Sequence, residues 1–95
     1  MAGQVVWSDE AVGDLERIGR YIERDSPAYA RALVRRTLDS TRKLADFPRI
    51  GRVVAELHDE NFRELVVHNY RVIYRIEGDV VTIAAIAHSR QSLGL

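Results

Sequence analysis

From Phe62 onward the chain falls into three runs rich in β-branched and aromatic residues, 62–67, 70–77 and 80–88, separated by His68-Asn69 and Gly78-Asp79. Apolar runs bounded by turn residues predict strands joined as a meander. Gly78 accepts the positive φ that a primed two-residue turn requires, so the register is counted outward from it. Glu77 then faces Val80, Ile76 faces Val81, Tyr74 faces Ile83, Val72 faces Ala85 and Tyr70 faces Ala87. Side chains alternate along a strand. One face is therefore apolar, and the other carries Arg71, Ile73, Arg75, Thr82, Ala84, Ile86 and His88. The first is expected to meet a core and the second to be free. Arg63 has two placements: a two-residue His68-Asn69 loop sets it beside Tyr74 on the apolar side, and a longer loop turns it over.

Before the meander the period changes. Gln4-Val-Val-Trp7 is short and β-prone, and Ser8-Asp9-Glu10 is a helix start, a capping hydroxyl followed by carboxylates at the positive end of the dipole. Ala11, Leu15, Ile18 and Ile22 then form one stripe of a 3.6-residue period, predicting a helix from 9 to about 24. Ser26-Pro27 repeats the start signal. A second helix is expected from 27 to about 46, with Ala30, Leu33, Val34, Thr37, Leu38, Thr41, Leu44 and Ala45 inward, ending where Phe47 precedes Pro48. The short link makes the two helices an antiparallel hairpin. The outer side of the second, with Arg31, Arg35, Arg36, Asp39, Arg42 and Lys43, reads as a solvated helix face. Residues 48–52 are a turn, 53–57 a strand and 58–61 a polar loop. The order is read as β-α-α-β-β-β, an α+β domain with the helix hairpin on one side of a small, mainly antiparallel sheet. Leu15, Ile18, Leu44, Val72, Tyr74 and Ile83 are the expected core between the layers. Residues 91–95 are too few to predict an element and are expected to fray.

Ninety-five residues suit a single domain, 1–95. Without cysteine there is neither a disulfide framework nor a thiolate metal site, which fits a reducing compartment such as the cytoplasm. The start lacks the charge and apolar run of a signal peptide, and no segment approaches the ~18 apolar residues of a membrane span. Net charge is zero, with 14 Lys plus Arg against 14 Asp plus Glu, and Lys43 is the sole lysine. Arginine favours bidentate contacts with carboxylates and phosphates, so this bias suits an interface. A neutral total argues against a chain whose main task is to hold a polyanion.

Phosphate-binding glycine loops, Gly-x-Ser-x-Gly, His-Glu-x-x-His and zinc spacings are all missing, so no metal or cofactor is expected. His58, His68 and His88 are scattered over a loop, a turn and a strand end. By the register above, His88 shares a face with Arg71 and Arg75 and has Arg90 just beyond it. A histidine among guanidiniums suits acid–base work on a phosphodiester.

Several pieces in order carry a resemblance: Asp14-Leu15-x-x-Ile18, Tyr21-Ile22, Ser26-Pro27-x-x-Ala30, Leu44-x-x-Phe47-Pro48-x-x-Gly51-Arg52, Arg63-Glu64-Leu65, Tyr70-Arg-Val-Ile-Tyr-Arg75 and Ile86-x-His88-x-Arg90. Together they resemble the RelE/ParE superfamily of toxins from type II toxin–antitoxin pairs, over nearly the whole chain. The resemblance implies a growth-inhibiting toxin neutralised by a cognate antitoxin in a hetero-oligomer. RelE-like members cut messenger RNA in the ribosomal A site, whereas ParE-like members poison DNA gyrase and are not nucleases. Carried over by position, Arg63, Arg90 and His88 match residues of the cutting branch.

The departures point away from cutting. Residues 53–56 hold none of the lysines that the RelE-like branch uses, and Ser89 follows His88 where a tyrosine is expected. The Ser-Pro helix start and the Phe-Pro-x-x-Gly-Arg link look more like ParE. A gyrase poison with Arg71, Arg75 and Arg90 as target or antitoxin contacts is therefore the leading expectation. The alternative is a ribosome-dependent endoribonuclease with His88, Arg63 and Arg90 as its catalytic set, and a third reading is an inactive member that only binds antitoxin. The free sheet face and the helix-hairpin grooves are the expected docking surfaces for an antitoxin segment that folds on contact.

Overall fold

A computed structural model describes residues 3–91 and 93. Strand β1 (Gln4–Trp7) leads into α1 (Asp9–Glu23) and α2 (Pro27–Arg42), and α2 tightens into a 3₁₀ turn over Lys43–Ala45. Strands β2 (Arg52–Val53), β3 (Phe62–Val67), β4 (Tyr70–Glu77) and β5 (Val80–His88) follow. The sheet order is β1-β5-β4-β3-β2, with β1 parallel to β5 and the other pairs antiparallel. Four strands follow the helices, at the runs 53–57, 62–67, 70–77 and 80–88 read as strands from the sequence, one more than the shorthand β-α-α-β-β-β shows. The fold is α+β, two helices on a five-stranded mixed sheet. The readings of residues 1, 2, 92, 94 and 95 lie outside the described residues. Among those described, no helix is long and apolar enough to cross a membrane.

Both helix starts form as their residues dictate. Ser8 Oγ accepts the Ala11 N–H at 3.1 Å and Ser26 Oγ accepts the Tyr29 N–H at 3.1 Å, each satisfying one amide that has no carbonyl a turn earlier. Ala11, Leu33 and Leu44 are buried, and Leu15, Ile18 and Ile22 pack half-buried against the same cluster. Thr37 and Thr41 sit inside without penalty because their hydroxyls donate back to Leu33 O and Leu38 O. Across the interface Val72, Tyr74, Val81 and Ile83 are fully enclosed.

Tyr74 ties the helical layer to the sheet edge. Its hydroxyl donates to Pro48 O at 2.7 Å and accepts the Gly51 N–H at 2.9 Å, so a buried phenol keeps both partners. Burial pushes its pKa above the usual tyrosine value. A Cβ on Gly51 would lie 2.6 Å from both that hydroxyl and Glu64 O, which is why glycine stands there. The Phe47-Pro-x-x-Gly51 link is thus a wrap around one hydroxyl.

Two expectations fail. The predicted strand over 53–57 stops at Val53: Val54 is buried and Ala55–Leu57 turn as a 3₁₀ segment. The second failure is register. The pairs Glu77–Val80, Ile76–Val81 and Tyr74–Ile83 hold, but Ile73 then faces Ala85, Val72 faces Ile86, Arg71 faces Ala87 and Tyr70 faces His88. Ala84 is the extra residue of a β-bulge, which turns over every later side chain of β5. Side chains of the α1 N-cap and first turns take up the backbone around it. Where β1 ends at Trp7, Ser8 Oγ donates to Ala84 O at 3.1 Å, and the Asp14 carboxylate accepts the Ile86 N–H at 2.9 Å in place of a strand partner.

Ile83 is fully enclosed, so Ile83→Ala should cost about 2–5 kcal/mol. Leu15 lies only half-buried, and Leu15→Ala should cost less. Denaturant midpoints of the two variants, with unchanged m-values, would check this ordering.

Candidate functional site

The sheet face opposite the helices, expected to be free, is covered at one end. Arg71 is 6% exposed there, and each of its three nitrogens donates to a partner. Nε donates to Glu64 Oε1 at 2.7 Å, the two terminal nitrogens donate to Glu56 at 2.8 and 2.9 Å, and one of them also reaches Gln91 O at 3.0 Å. Glu64, itself buried, is shared with Arg52 at 2.6 Å. The 3₁₀ turn carrying Glu56 and the segment carrying Gln91 therefore close over Arg71. Hydrogen bonding to Arg71 holds the Glu56 carboxyl down at about 2, and Glu56 in turn raises the guanidinium above its ordinary value. Glu56 and Glu64 were not among the residues expected here. Glu64 was legible: with the two-residue His68-Asn69 turn that forms, Arg71 faces Val66, so Glu64 stands diagonally from it on the same face.

The other end of that face stays open. Arg75 is half-exposed and bridges Glu77 at 2.8 Å, an exposed pair that leaves it available to a partner. Beside it Ser8, Glu10, Phe62, Thr82 and Ala84 line a shallow depression of about 210 Å³.

His88 is not on this face. The bulge turns it to the helix side of the sheet, where it meets Tyr70 edge-on with ring centroids 5.6 Å apart. Burial raises the Tyr70 pKa. His88 Nδ1 accepts the Arg90 N–H at 3.2 Å, so that nitrogen is already engaged. The expected sharing of a face by His88, Arg71 and Arg75 is thus corrected, and the bulge is the reason.

Arg63 takes the first of its two placements, opposite Tyr74. Its guanidinium is drawn into the preceding turns, with Nε donating to Glu60 O at 2.9 Å and one terminal nitrogen reaching Gly51 O at 3.1 Å. It sits on the strand across β4 from His88 and about 13 Å further along the sheet, four residues of extended chain. Arg90 is exposed in the turn after β5.

A larger concavity lies elsewhere, between the helices. A groove of about 740 Å³ has Leu15, Gly19, Ala30, Val34 and Leu38 along its floor. Glu16, Arg20 and Glu23 rise from α1, and Arg31, Arg35 and Arg42 from α2. An apolar floor between charged walls of both signs matches an amphipathic segment of another chain.

Sequence and fold comparisons agree with this architecture. The family model described as the ParE toxin of type II toxin–antitoxin systems matches residues 5–93. Toxin ParE3 of Caulobacter vibrioides is 32% identical over 92 residues, covering 96% of this chain and 91% of that one. Toxin RelE2 of the same organism is 34% identical over 87 residues, covering 90% and 94%. A chain of the chromosomal ParDE system of P. aeruginosa superposes with a TM-score of 0.73 at 19% identity, covering 92% of this chain and 96% of its own. With its two-helix, five-strand fold and a family match running almost end to end, the chain belongs to the ParE toxin family of type II toxin–antitoxin systems.

Proposed function

We propose that this chain is a growth-inhibiting, ParE-like poison of DNA gyrase that works in the cytoplasm through protein contacts, without covalent chemistry, and is silenced by a cognate antitoxin seated in the α1–α2 groove. The observation that carries the reading is the position of His88. Cutting a phosphodiester requires an acid–base group and cations converging within about 3 Å of one reacting atom. Here His88 faces the helices with Nδ1 engaged, Arg71 is sealed on the other face, and Arg63 is bound to carbonyls at the far end of the sheet. The bulge parts His88 from Arg71 and Arg75, and Arg63 lies four residues of strand away on the face His88 now shares, so of the expected cutting set only Arg90 stays near His88. Arg75 and Arg90, both exposed, are the proposed contact residues, while Arg71 stands behind them as support.

The test is a pair of assays on two variants. His88→Gln should retain the wild-type ability to trap gyrase on cleaved DNA, and neither protein should cut message in a translating extract. Arg90→Ala should trap gyrase less well. Ribosome-dependent cleavage by the wild type that falls about 10²–10⁴-fold in His88→Gln would reverse the reading.

A further inference from the structure

The zero net charge is the sum of unlike parts. Helix α1 carries five carboxylates, Asp9, Glu10, Asp14, Glu16 and Glu23, against Arg17 and Arg20. Helix α2 with its 3₁₀ extension carries Arg31, Arg35, Arg36, Arg42 and Lys43 against Asp39 alone. Arg42 takes up Asp39 at 2.9 Å. Among the described residues Arg35, Arg36 and Lys43 have no carboxylate within ion-pair distance, and all three are exposed. They line a concavity of about 600 Å³ completed by His68 of the β3–β4 turn. His68 sits at φ 54° and its ring meets Tyr29 of α2 edge-on at 5.2 Å, which holds the turn against the helix. From sequence this side reads as a solvated helix face. The fold makes it the basic wall of a depression.

We propose that this side of α2 is a docking surface for the phosphate backbone of double-stranded DNA. Charge complementarity names a polyanion, and the lining narrows the choice. Ala32 and Ser40 are its small members and no large apolar side chain joins them, so it lacks the buried anchor that a protein partner would fill. His68 is its one ring and already packs on Tyr29, so there is no platform on which single-stranded bases would stack. A duplex asks for neither. The cations of this side, from Arg35 to Lys43, extend over about 12 Å of helix, a length along which duplex DNA presents about seven phosphates. The apolar groove runs along the other side of α2, with Arg35 and Asp39 on the ridge between them, so a segment filling the groove leaves Arg36 and Lys43 exposed. The surface is independent of the gyrase reading, because its test contains no gyrase.

Binding of the full chain to a labelled 20-base-pair duplex of arbitrary sequence is measured by anisotropy as salt rises from 50 to 200 mM. Three phosphate contacts predict a slope of about −2.7 in log K against log salt, a loss of about 40-fold. Arg36→Ala/Lys43→Ala should reduce the slope to about −0.9 and the loss to about 3.5-fold. Both residues lie on an exposed helix face, so the variant's thermal midpoint should match the wild type. As a second measurement, the ring resonances of His68 in the wild type should shift on adding duplex. No wild-type binding at 50 mM salt, an unchanged slope in the variant, unmoved His68 resonances, or equal affinity for a polyglutamate peptide or a single strand would each overturn the proposal.

Discussion

Arg71→Ala is expected to be among the most destabilising single substitutions, costing about 3–5 kcal/mol, because it leaves the buried Glu64 carboxylate with one, largely solvent-exposed partner. Glu64 is 4% exposed and would retain only Arg52, whose side chain is mostly in solvent. The same change frees Glu56 and removes the donor to Gln91 O, so the cover over that end of the sheet loosens as well. Replacing the pair together separates the causes. Arg71→Met/Glu64→Leu removes both buried charges and should recover a large part of the loss, since an apolar filling of a buried ion-pair site is often neutral. A double variant no more stable than Arg71→Ala would show that packing of the arginine stem, rather than the buried carboxylate, dominates.

The same network sets a pH dependence. The Glu56 carboxyl titrates at about 2 in the fold against 4.5 for an unperturbed group, chiefly through its hydrogen bonds to Arg71. The folded value is the lower one, so the unfolded chain binds the proton first as pH falls. The contribution is therefore complete above about 4.5 and is lost as pH falls toward 2. Glu56→Gln should have a shallower stability profile across that window, read from urea midpoints at successive pH values.

The residues that spoke for themselves were those whose signals are local. The stripe Ala11, Leu15, Ile18, Ile22, the caps Ser8 and Ser26, and Gly78 at φ 59° each act within a few positions. Counting from Gly78 therefore placed Tyr74 against Ile83 correctly. What failed involves partners far away in the chain. The backbone around the bulge at Ala84 is taken up by Ser8 and Asp14, 76 and 72 positions from the groups they bind. Two consecutive alanines give no sign of it, and one added residue was enough to carry His88 to the other face. The strand expected over 53–57 failed similarly, because Glu56 is held by an arginine 15 positions later. Arg71 looked like a free contact because a charge on an apparently open face offers no sign that a turn will close over it.

The groove between the helices makes the second large expectation. Leu38 stands at its floor yet is 36% exposed, so it contributes less to the core than Leu33 or Leu44 and is open to a partner. Leu38→Glu keeps a good helix former in α2 and should leave the thermal midpoint close to the wild type. An antitoxin helix laid in the groove would have to bury that carboxylate beside Val34 and Leu15, against apolar side chains of its own. Affinity for the cognate antitoxin should fall by about 30-fold or more, the loss of 2 kcal/mol that marks a central anchor, and mainly through faster dissociation. Leu38→Met, similar in volume and apolar, should bind nearly as the wild type does. Calorimetric titration of the antitoxin into the three proteins reads this directly. An unchanged affinity in Leu38→Glu, with the fold intact, would place the antitoxin elsewhere on the toxin and leave the groove without its proposed occupant.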